Sequence, residues 1–235
     1  MDLISIIIPV YNRLDAFEKT LSSVLNQTYK NIEIIVVDDG SREEVKIPNF
    51  KFQIDSHVDI KLYRQENKGA PTARNKGFDM SQGSYVFFCD ADVIAKEYMI
   101  ENMFHTLEKN PDCDFVYSNF LFGKKCMRGR VFDSEALKQN NFITTMTLMR
   151  RCAFPRFDET ITKFQDWDLF LTMVERGSRG VWIDETLFQV ETGGTMSDWL
   201  PACAYKNPWK YVPLIHAEVK KYEEAKKIII EKHGF

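Results

Sequence analysis

The chain has 235 residues, of which 44% are apolar, 28% charged and 13% aromatic, a balance typical of globular proteins and not of disordered or fibrous chains. Lysine and arginine total 31 and aspartate and glutamate total 34, which leaves a formal charge of −3. This near-neutral balance argues against bulk nucleic-acid binding, so no nucleic-acid partner is predicted.

The cysteine and histidine positions argue against disulfide and zinc frameworks. The five cysteines are odd in number and form no CxxC pair, and the four histidines lack metal-ligand spacing. This usage favours a reducing, cytoplasmic compartment. Because no run of about 18 apolar residues occurs, any membrane contact is predicted to be peripheral, at the inner face of the membrane.

The first half of the chain alternates between apolar runs typical of strands and segments with helical spacing. Runs that are apolar on both faces indicate buried parallel strands, so we expect an α/β fold with a mostly parallel central sheet flanked by helices. Asn12 is expected to cap the first helix. Strands are predicted at 3–10, 32–37, 60–64, 85–89 and 115–118, and helices at 14–25, at 71–81 and around 99–107.

The second half is less regular, and it contains no internal repeat or low-complexity tract. Gly177 is expected to end the helix that begins at 166. The pattern predicts a strand at 145–150, a helix at 166–176, short strands at 181–184 and 187–191, and a charged helix at 215–232.

Polar clusters follow three of the predicted strands. Tyr11-Asn12 comes after the first strand, Asp38-Asp39 after the second, and Asp90-Ala91-Asp92 after the fourth. In open parallel sheets, ligands bind in the crevice beyond the carboxyl ends of the strands. The repeated placement of aspartates at strand ends therefore predicts a binding crevice there.

The aspartate and glycine clusters each admit a functional and a structural interpretation. In extended backbone, Asp90 and Asp92 point to the same side and can bind one Mg²⁺ or Mn²⁺ ion, but a turn with two solvated aspartates explains them as well. Asp39 either binds a base or ribose or belongs to a common turn. The turn at Gly69 leads into a helix, and the N-terminus of that helix can bind an anion. Alternatively, this is an ordinary turn, and Arg74 makes a structural ion pair.

Two aspartates open the helix predicted at 166–176, and helical geometry separates their faces. Asp166 shares a face with apolar Leu169 and Met173, so it is expected to point inward. The helix dipole there favours the ionised form that a proton acceptor requires. Simple capping of the helix is the alternative role. Asp168 shares its face with polar residues and is expected to be solvated.

The order of these segments closely resembles the family 2 glycosyltransferases. The likeness rests on SIIIPVYNR, IIVVDDGS, ENKGAPTARNKG, DAD and QDWDL, taken in chain order. It spans residues 3–197 and is strongest over 3–118. It implies a GT-A-type fold in one domain over 1–214, with a nucleotide-sugar half at 1–118 and an acceptor half at 119–214, followed by a helix at 215–235.

The resemblance also implies an activity and a set of site residues. The implied reaction is the inverting transfer of a sugar from a nucleotide-diphospho-sugar, with UDP as the favoured nucleotide, to a glycan or lipid-linked acceptor, assisted by Mg²⁺ or Mn²⁺. The implied donor-binding residues are Pro9, Tyr11, Asn12, Asp39, Gly69, Arg74 and Asp90, with Asp92 and Asp90 as metal ligands and Asp166 as the catalytic base.

Two positions depart from the family pattern. Gln165 stands where glutamate is usual, and Thr192, next to Glu191, stands where histidine is common. These departures favour one alternative, a non-catalytic nucleotide-sugar-binding protein. A sugar-1-phosphate nucleotidyltransferase is the other alternative, but its glycine-rich N-terminal loop is missing at 9–15.

Overall fold

The computed structural model describes residues 2–47, 58–191 and 213–235. Strands and helices alternate through the first half of the chain, as the sequence predicts. The strands are β1 (Ile4–Val10), β2 (Ile32–Asp38), β3 (Asp59–Arg64), β4 (Tyr85–Phe88), β5 (Val93–Ala95), β6 (Phe115–Phe122), β7 (Lys125–Met127), β8 (Leu148–Arg150) and β9 (Gly180–Val190). The α-helices are α1 (Leu14–Leu25), α2 (Ala70–Met80), α3 (Met99–Lys109), α4 (Ser134–Gln139), α5 (Gln165–Glu175) and α6 (Pro213–His233).

These strands form one sheet in the order β3-β2-β1-β4-β8-β6-β9-β5, with β7 paired to β6. Strands β3, β2, β1 and β4 are parallel to one another, whereas β8 runs antiparallel to both β4 and β6. The mostly parallel α/β sheet predicted from the sequence is therefore confirmed. Because β2, β1 and β4 are adjacent and parallel, the polar segments that follow them lie at the same edge of the sheet.

The core lies on both faces of the sheet. Successive side chains of β1 alternate between the two faces, with Ile6 in one apolar cluster and Ile7 in the other. Both are fully buried, and burial of each such side chain contributes about 1.5–3 kcal/mol. Gly77 lets α2 approach β1 closely, because a Cβ at this position would lie 2.4 Å from Cγ2 of Ile7.

Several local predictions were wrong. Asn12 does not cap α1: the N-cap residue is Arg13, and Asn12, with a φ of 52°, accepts a hydrogen bond from the Arg42 N–H instead. The two short strands expected at 181–184 and 187–191 are one continuous strand, β9. Strand β9 stays continuous because it pairs in parallel with β6, which extends to Phe122 and supplies backbone hydrogen-bond partners along its length. The sequence pattern does not reveal this pairing.

Asp168 is also buried, not solvated, with a relative exposure of 3%. The expectation failed because α6 packs over α5 and covers the face that the helical pattern makes polar. The long helix predicted at 215–232 is confirmed with slightly wider bounds. Within 2–47, 58–191 and 213–235, no helix has both the length and the apolar character needed to cross a membrane.

Candidate functional site

Asp39 holds the loop that leads into α2. It is 3% exposed, and its Oδ1 accepts hydrogen bonds from Gln65 Nε2 at 2.8 Å and from the Lys68 N–H at 2.9 Å. Its Oδ2 accepts a third bond, from the Gly69 N–H at 2.8 Å. Gly69 has a φ of 91°, a conformation that favours glycine. The carboxylate thus fixes the backbone at the start of α2.

Arg74, on α2, connects two distant parts of the chain. Its Nη2 donates to Asp90 Oδ1 at 2.7 Å, and its Nη1 donates to Gln165 Oε1 at 2.8 Å. Arg74 is 2% exposed, and its guanidinium carbon lies 5.2 Å from the centroid of the Phe157 ring. Its Nε has no hydrogen-bond partner among the residues that the structure describes. The end of β4 is therefore tied to the first turn of α5 through one buried cation.

Asp90 and Asp92 lie close together in the turn after β4. Both oxygens of Asp90 have partners, because Thr145 Oγ1 donates to Oδ2 at 3.2 Å while Arg74 holds Oδ1. Burial and the charge of Asp90 raise the pKa of Asp92 to about 6, with Glu191 adding to the rise and Arg13 opposing it. Desolvation, the largest of these effects, and the nearby carboxylates therefore both disfavour the charged form of Asp92.

This donor set fits a hard divalent cation that completes its shell with other ligands. In the described ranges, no three His, Cys, Asp or Glu side chains are grouped closely enough to hold an ion by themselves. Mg²⁺ and Mn²⁺ prefer carboxylate oxygens, and Mg²⁺ commonly binds through one or two carboxylates together with water and substrate phosphates. Asp92 and Asp90 supply that number of carboxylates.

Asp166 occupies the first turn of α5 and is half-buried. Its Oδ1 accepts a hydrogen bond from the Trp167 N–H at 2.9 Å, and the Asn141 side chain provides a second. Burial nevertheless raises the pKa of this carboxyl, and Asp90 adds to the rise, while Arg74 opposes it. The helix dipole, which we expected to favour the ionised form, is outweighed. A carboxylate with a raised pKa is a stronger proton acceptor.

The structure brings most of the predicted site residues to one edge of the sheet. Asp90 influences the pKa of both Asp92 and Asp166, so these three carboxylates share one electrostatic environment. Arg74 contacts one of them directly. Thr192, the position expected to carry the family's histidine, lies outside the described residues.

The remaining predicted residues lie along the ends of β1 and β2. Pro9 is half-buried within β1, and Tyr11 is 46% exposed just beyond it. The Asn12 N–H donates to Ser41 Oγ at 3.0 Å, which joins the segment after β1 to the turn after β2. Tyr11 is thus an exposed aromatic ring beside the edge where the three carboxylates are found.

Sequence reasoning missed two residues that hold these carboxylates. Asn141 and Thr145, which bind Asp166 and Asp90, lie between α4 and β8 in a segment without helical or strand periodicity. No motif marks either residue. Gln165 was noted only as a departure, but its side chain is one of the two acceptors that fix Arg74.

Residues 5–164 match the family model described as glycosyl transferase family 2. The chain belongs to glycosyl transferase family 2. An uncharacterized glycosyltransferase of Rickettsia conorii is 31% identical over 82% of the chain, but the chain covers only 33% of that protein. An Escherichia coli protein named UDP-Glc:alpha-D-GlcNAc-diphosphoundecaprenol beta-1,3-glucosyltransferase WfaP is 30% identical over 84% of the chain and 81% of its own length.

Solved structures support the fold of this family 2 member. S. aureus TarS 1-349 in complex with UDP-GlcNAc matches with a TM-score of 0.67 and 15% identity, covering 86% of this chain and 62% of that one. The mannosyltransferase PcManGT of Pyrobaculum calidifontis, in complex with GDP-Man and Mn²⁺, matches with a TM-score of 0.61 and 14% identity over 98% of this chain and 74% of its own. At these identities the likeness shows the GT-A fold alone.

Proposed function

We propose that this protein transfers a sugar, with inversion, from a nucleotide-diphospho-sugar to a hydroxyl group of a glycan or lipid-linked acceptor. The observation that carries the proposal is the pair of hydrogen bonds from Arg74 to Asp90 and Gln165. They join the turn of Asp90 and Asp92 to the helix turn that presents Asp166. One edge of the sheet thus combines two carboxylates that could bind a cation, Asp90 and Asp92, with a separate proton acceptor, Asp166.

In this reaction the bond from the anomeric carbon to the phosphate oxygen breaks as the acceptor hydroxyl attacks from the opposite face. Asp166 takes the hydroxyl proton, and general-base help of this kind is worth about 10²–10⁴-fold in rate. Asn141 and the Trp167 N–H orient its carboxylate. No covalent protein intermediate is required.

Asp92, with Asp90, would hold Mg²⁺ or Mn²⁺. A bound divalent ion supplies Lewis-acid stabilisation of the negative charge that develops on the departing diphosphate. The family relationship and the PcManGT complex with Mn²⁺ support this assignment. On the same basis Pro9, Tyr11, Asn12, Asp39, Gly69 and Arg74 would surround the nucleotide, with Asp90 near the ribose.

The donor is proposed to be a UDP-sugar, and the acceptor to be glycan or lipid-linked. TarS binds UDP-GlcNAc, and the name of the E. coli relative gives UDP-Glc as donor and a diphosphoundecaprenol-linked sugar as acceptor. A lipid-linked acceptor would bring the protein to the inner face of the cytoplasmic membrane as a peripheral partner. The compartment is proposed to be the cytoplasm, where nucleotide-sugars are the donors.

The proposal is tested by incubating the chain with UDP-sugars and Mn²⁺ and measuring nucleotide release with and without candidate acceptors. Release of UDP that requires Asp166 supports it: Asp166→Asn should retain donor binding while turnover falls about 10²–10⁴-fold. UDP-sugar binding without any UDP release would instead identify a non-catalytic binding protein. Pyrophosphate release from UTP and a sugar-1-phosphate would identify a nucleotidyltransferase.

A further inference from the structure

Helix α6 contacts the residue that immediately precedes α5. Phe164 has a φ of 61°, in the left-handed region, which is strained for a residue with a Cβ. Its ring packs edge-on against Trp167, with centroids 5.8 Å apart, and against Tyr222 of α6, with centroids 5.0 Å apart. Tyr222 therefore helps to hold a strained backbone conformation at the start of the helix that carries Asp166.

A second set of contacts from α6 reaches α5 at Asp168, in its first turn, and at Glu175, its last residue. His233 has a side chain only 2% exposed, and its Nε2 lies 2.9 Å from Asp168 Oδ1 while its Nδ1 lies 2.6 Å from Glu175 Oε1. Lys232 Nζ lies 2.7 Å from both Asp168 Oδ1 and Asp158 Oδ2. Asp168, buried and two residues beyond Asp166, thus has two basic partners, both from α6.

Apolar contacts complete this packing. Ile229 is fully buried and Val219 is 2% exposed, so α6 presents an apolar face to the body of the protein. Lys226 Nζ lies 5.7 Å from the centroid of the Trp167 ring, and the Phe235 ring lies 6.2 Å from it. Trp167 is the residue whose N–H binds Asp166 Oδ1. Residues of α6 therefore contact Phe164, Trp167 and Asp168, which lie on either side of Asp166 in the chain, and none of these contacts involves Asp166 itself.

We propose that Tyr222 and His233 are positioning residues for Asp166. Tyr222 fixes the backbone before the first turn of α5, and His233 fixes Asp168 after it, so that the Asp166 carboxylate keeps one orientation toward the acceptor hydroxyl. The inference rests on the proposed function of Asp166 as the general base. A displacement of about 1 Å in such a group can lower the rate about 100-fold.

A purely structural role for α6 makes a different prediction. Loss of packing that only stabilises the fold lowers the melting temperature but leaves kcat unchanged at temperatures where the protein is folded. Loss of positioning lowers kcat, leaves the donor KM unchanged, and increases the amide exchange rate in the first turn of α5. The two roles are therefore separated by the split between kcat and KM and by amide hydrogen exchange at 164–168.

The experiment compares Tyr222→Ala, Tyr222→Phe and His233→Ala in the full chain, with Glu223→Ala, an exposed neighbour on α6, as the matched control. We expect Tyr222→Ala and His233→Ala to lower kcat by about ten- to hundredfold, with the donor KM unchanged and faster exchange at 164–168. Tyr222→Phe keeps the aromatic contact and should retain kcat and exchange much closer to the wild type than Tyr222→Ala does, whereas Glu223→Ala should behave as the wild type. Should Tyr222→Ala fail to fold, Tyr222→Leu replaces it.

The proposal is overturned if Tyr222→Ala loses thermal stability while kcat and exchange at 164–168 match the wild type, or if the donor KM rises with kcat unchanged. If the wild type neither transfers nor hydrolyses any donor, the proposed function fails, and hydrogen exchange alone decides the inference. Faster exchange at 164–168 in both α6 variants then supports the control of α5 by α6. Unchanged exchange refutes it.

Discussion

Arg74 Nη2 and Asp90 Oδ1 form an ion pair of 2.7 Å in which the arginine side chain is 3% exposed and the aspartate side chain 25% exposed. The second nitrogen of the same guanidinium binds Gln165 on α5. A planar fork with two donors matches two acceptors at once, which a lysine ammonium at the end of a flexible chain does not do. This pair is the point at which the turn after β4 and the first turn of α5 meet.

Replacement of Arg74 should therefore damage both stability and turnover. Arg74→Met leaves Asp90 without its cation, and breaking a buried pair costs about 3–5 kcal/mol, less here because Asp90 is partly exposed. Arg74→Lys should keep the ion pair with Asp90 but lose the hydrogen bond to Gln165. We therefore expect kcat to fall, with a smaller loss of melting temperature than in Arg74→Met. Gln165→Met, which removes the bond from Arg74 together with the bond from Gln165 Nε2 to the Thr162 carbonyl at 3.2 Å but keeps the ion pair with Asp90, is the control. Wild-type turnover in Arg74→Lys would contradict the role of the fork.

Nucleotide binding should depend on a divalent cation and on Asp92. Calorimetric titration with UDP is expected to show affinity at least about tenfold lower in EDTA than in Mn²⁺, because the diphosphate then meets the negative turn without a bridging ion. Asp92→Asn should bind UDP equally weakly in both conditions. Glu97→Gln, an exposed acid outside the site, should behave as the wild type. Equal UDP affinity in EDTA and Mn²⁺ for the wild type would exclude Asp92 as a metal ligand.

Gly77→Ala should destabilise the protein although alanine favours helices. The added Cβ would lie 2.4 Å from Ile7 Cγ2, and overpacking of this kind typically costs about 1–3 kcal/mol. Urea unfolding measures the change in the free energy of unfolding. Ile7→Ala removes the opposing methyl group. The double variant should therefore lose less free energy of unfolding than the sum of the losses in the two single variants. Strict additivity would show that the contact is relieved elsewhere.

The ion pair between Asp158 and Lys232 should make stability depend on acidic pH. The hydrogen bond from Lys232, together with those from Thr160, lowers the pKa of Asp158 to about 2. Because the folded pKa lies below the unfolded value of about 3.9, the pair stabilises the protein fully above about pH 4 and loses this contribution as the pH falls toward 2.

Asp158→Asn should accordingly lower the free energy of unfolding at pH 7 by up to about 1 kcal/mol, a value limited by the partial exposure of the pair. The difference from the wild type should shrink as the pH falls below 4. Urea unfolding across pH 2–7 measures it, with the exposed Glu18→Gln as control. A difference that stays constant over this range would show that the ion pair does not cause it.

The chain's own pattern determined the sheet and the edge at which the candidate site residues lie. Runs rich in apolar residues, such as Ile4–Val10 and Ile32–Asp38, are buried on both faces, which is typical of strands in a parallel sheet covered by helices. The aspartates after β2 and β4 then lie at one edge because neighbouring parallel strands end there. Strand burial and direction are local properties, so a local pattern is sufficient to predict them.

Only the tertiary structure decided which groups surround the acidic residues. Asp168 shares a helix face with polar neighbours, and nothing within α5 predicts that His233, 65 positions later, covers it. Arg74 likewise finds Gln165 across 91 positions. Periodicity describes a residue's neighbours on its own helix or strand, whereas burial, hydrogen-bond partners and pKa are set by whatever packs against that element. The sequence therefore determined the edge of the sheet at which the candidate site lies, and the packing of α5 and α6 decided how its charges are held.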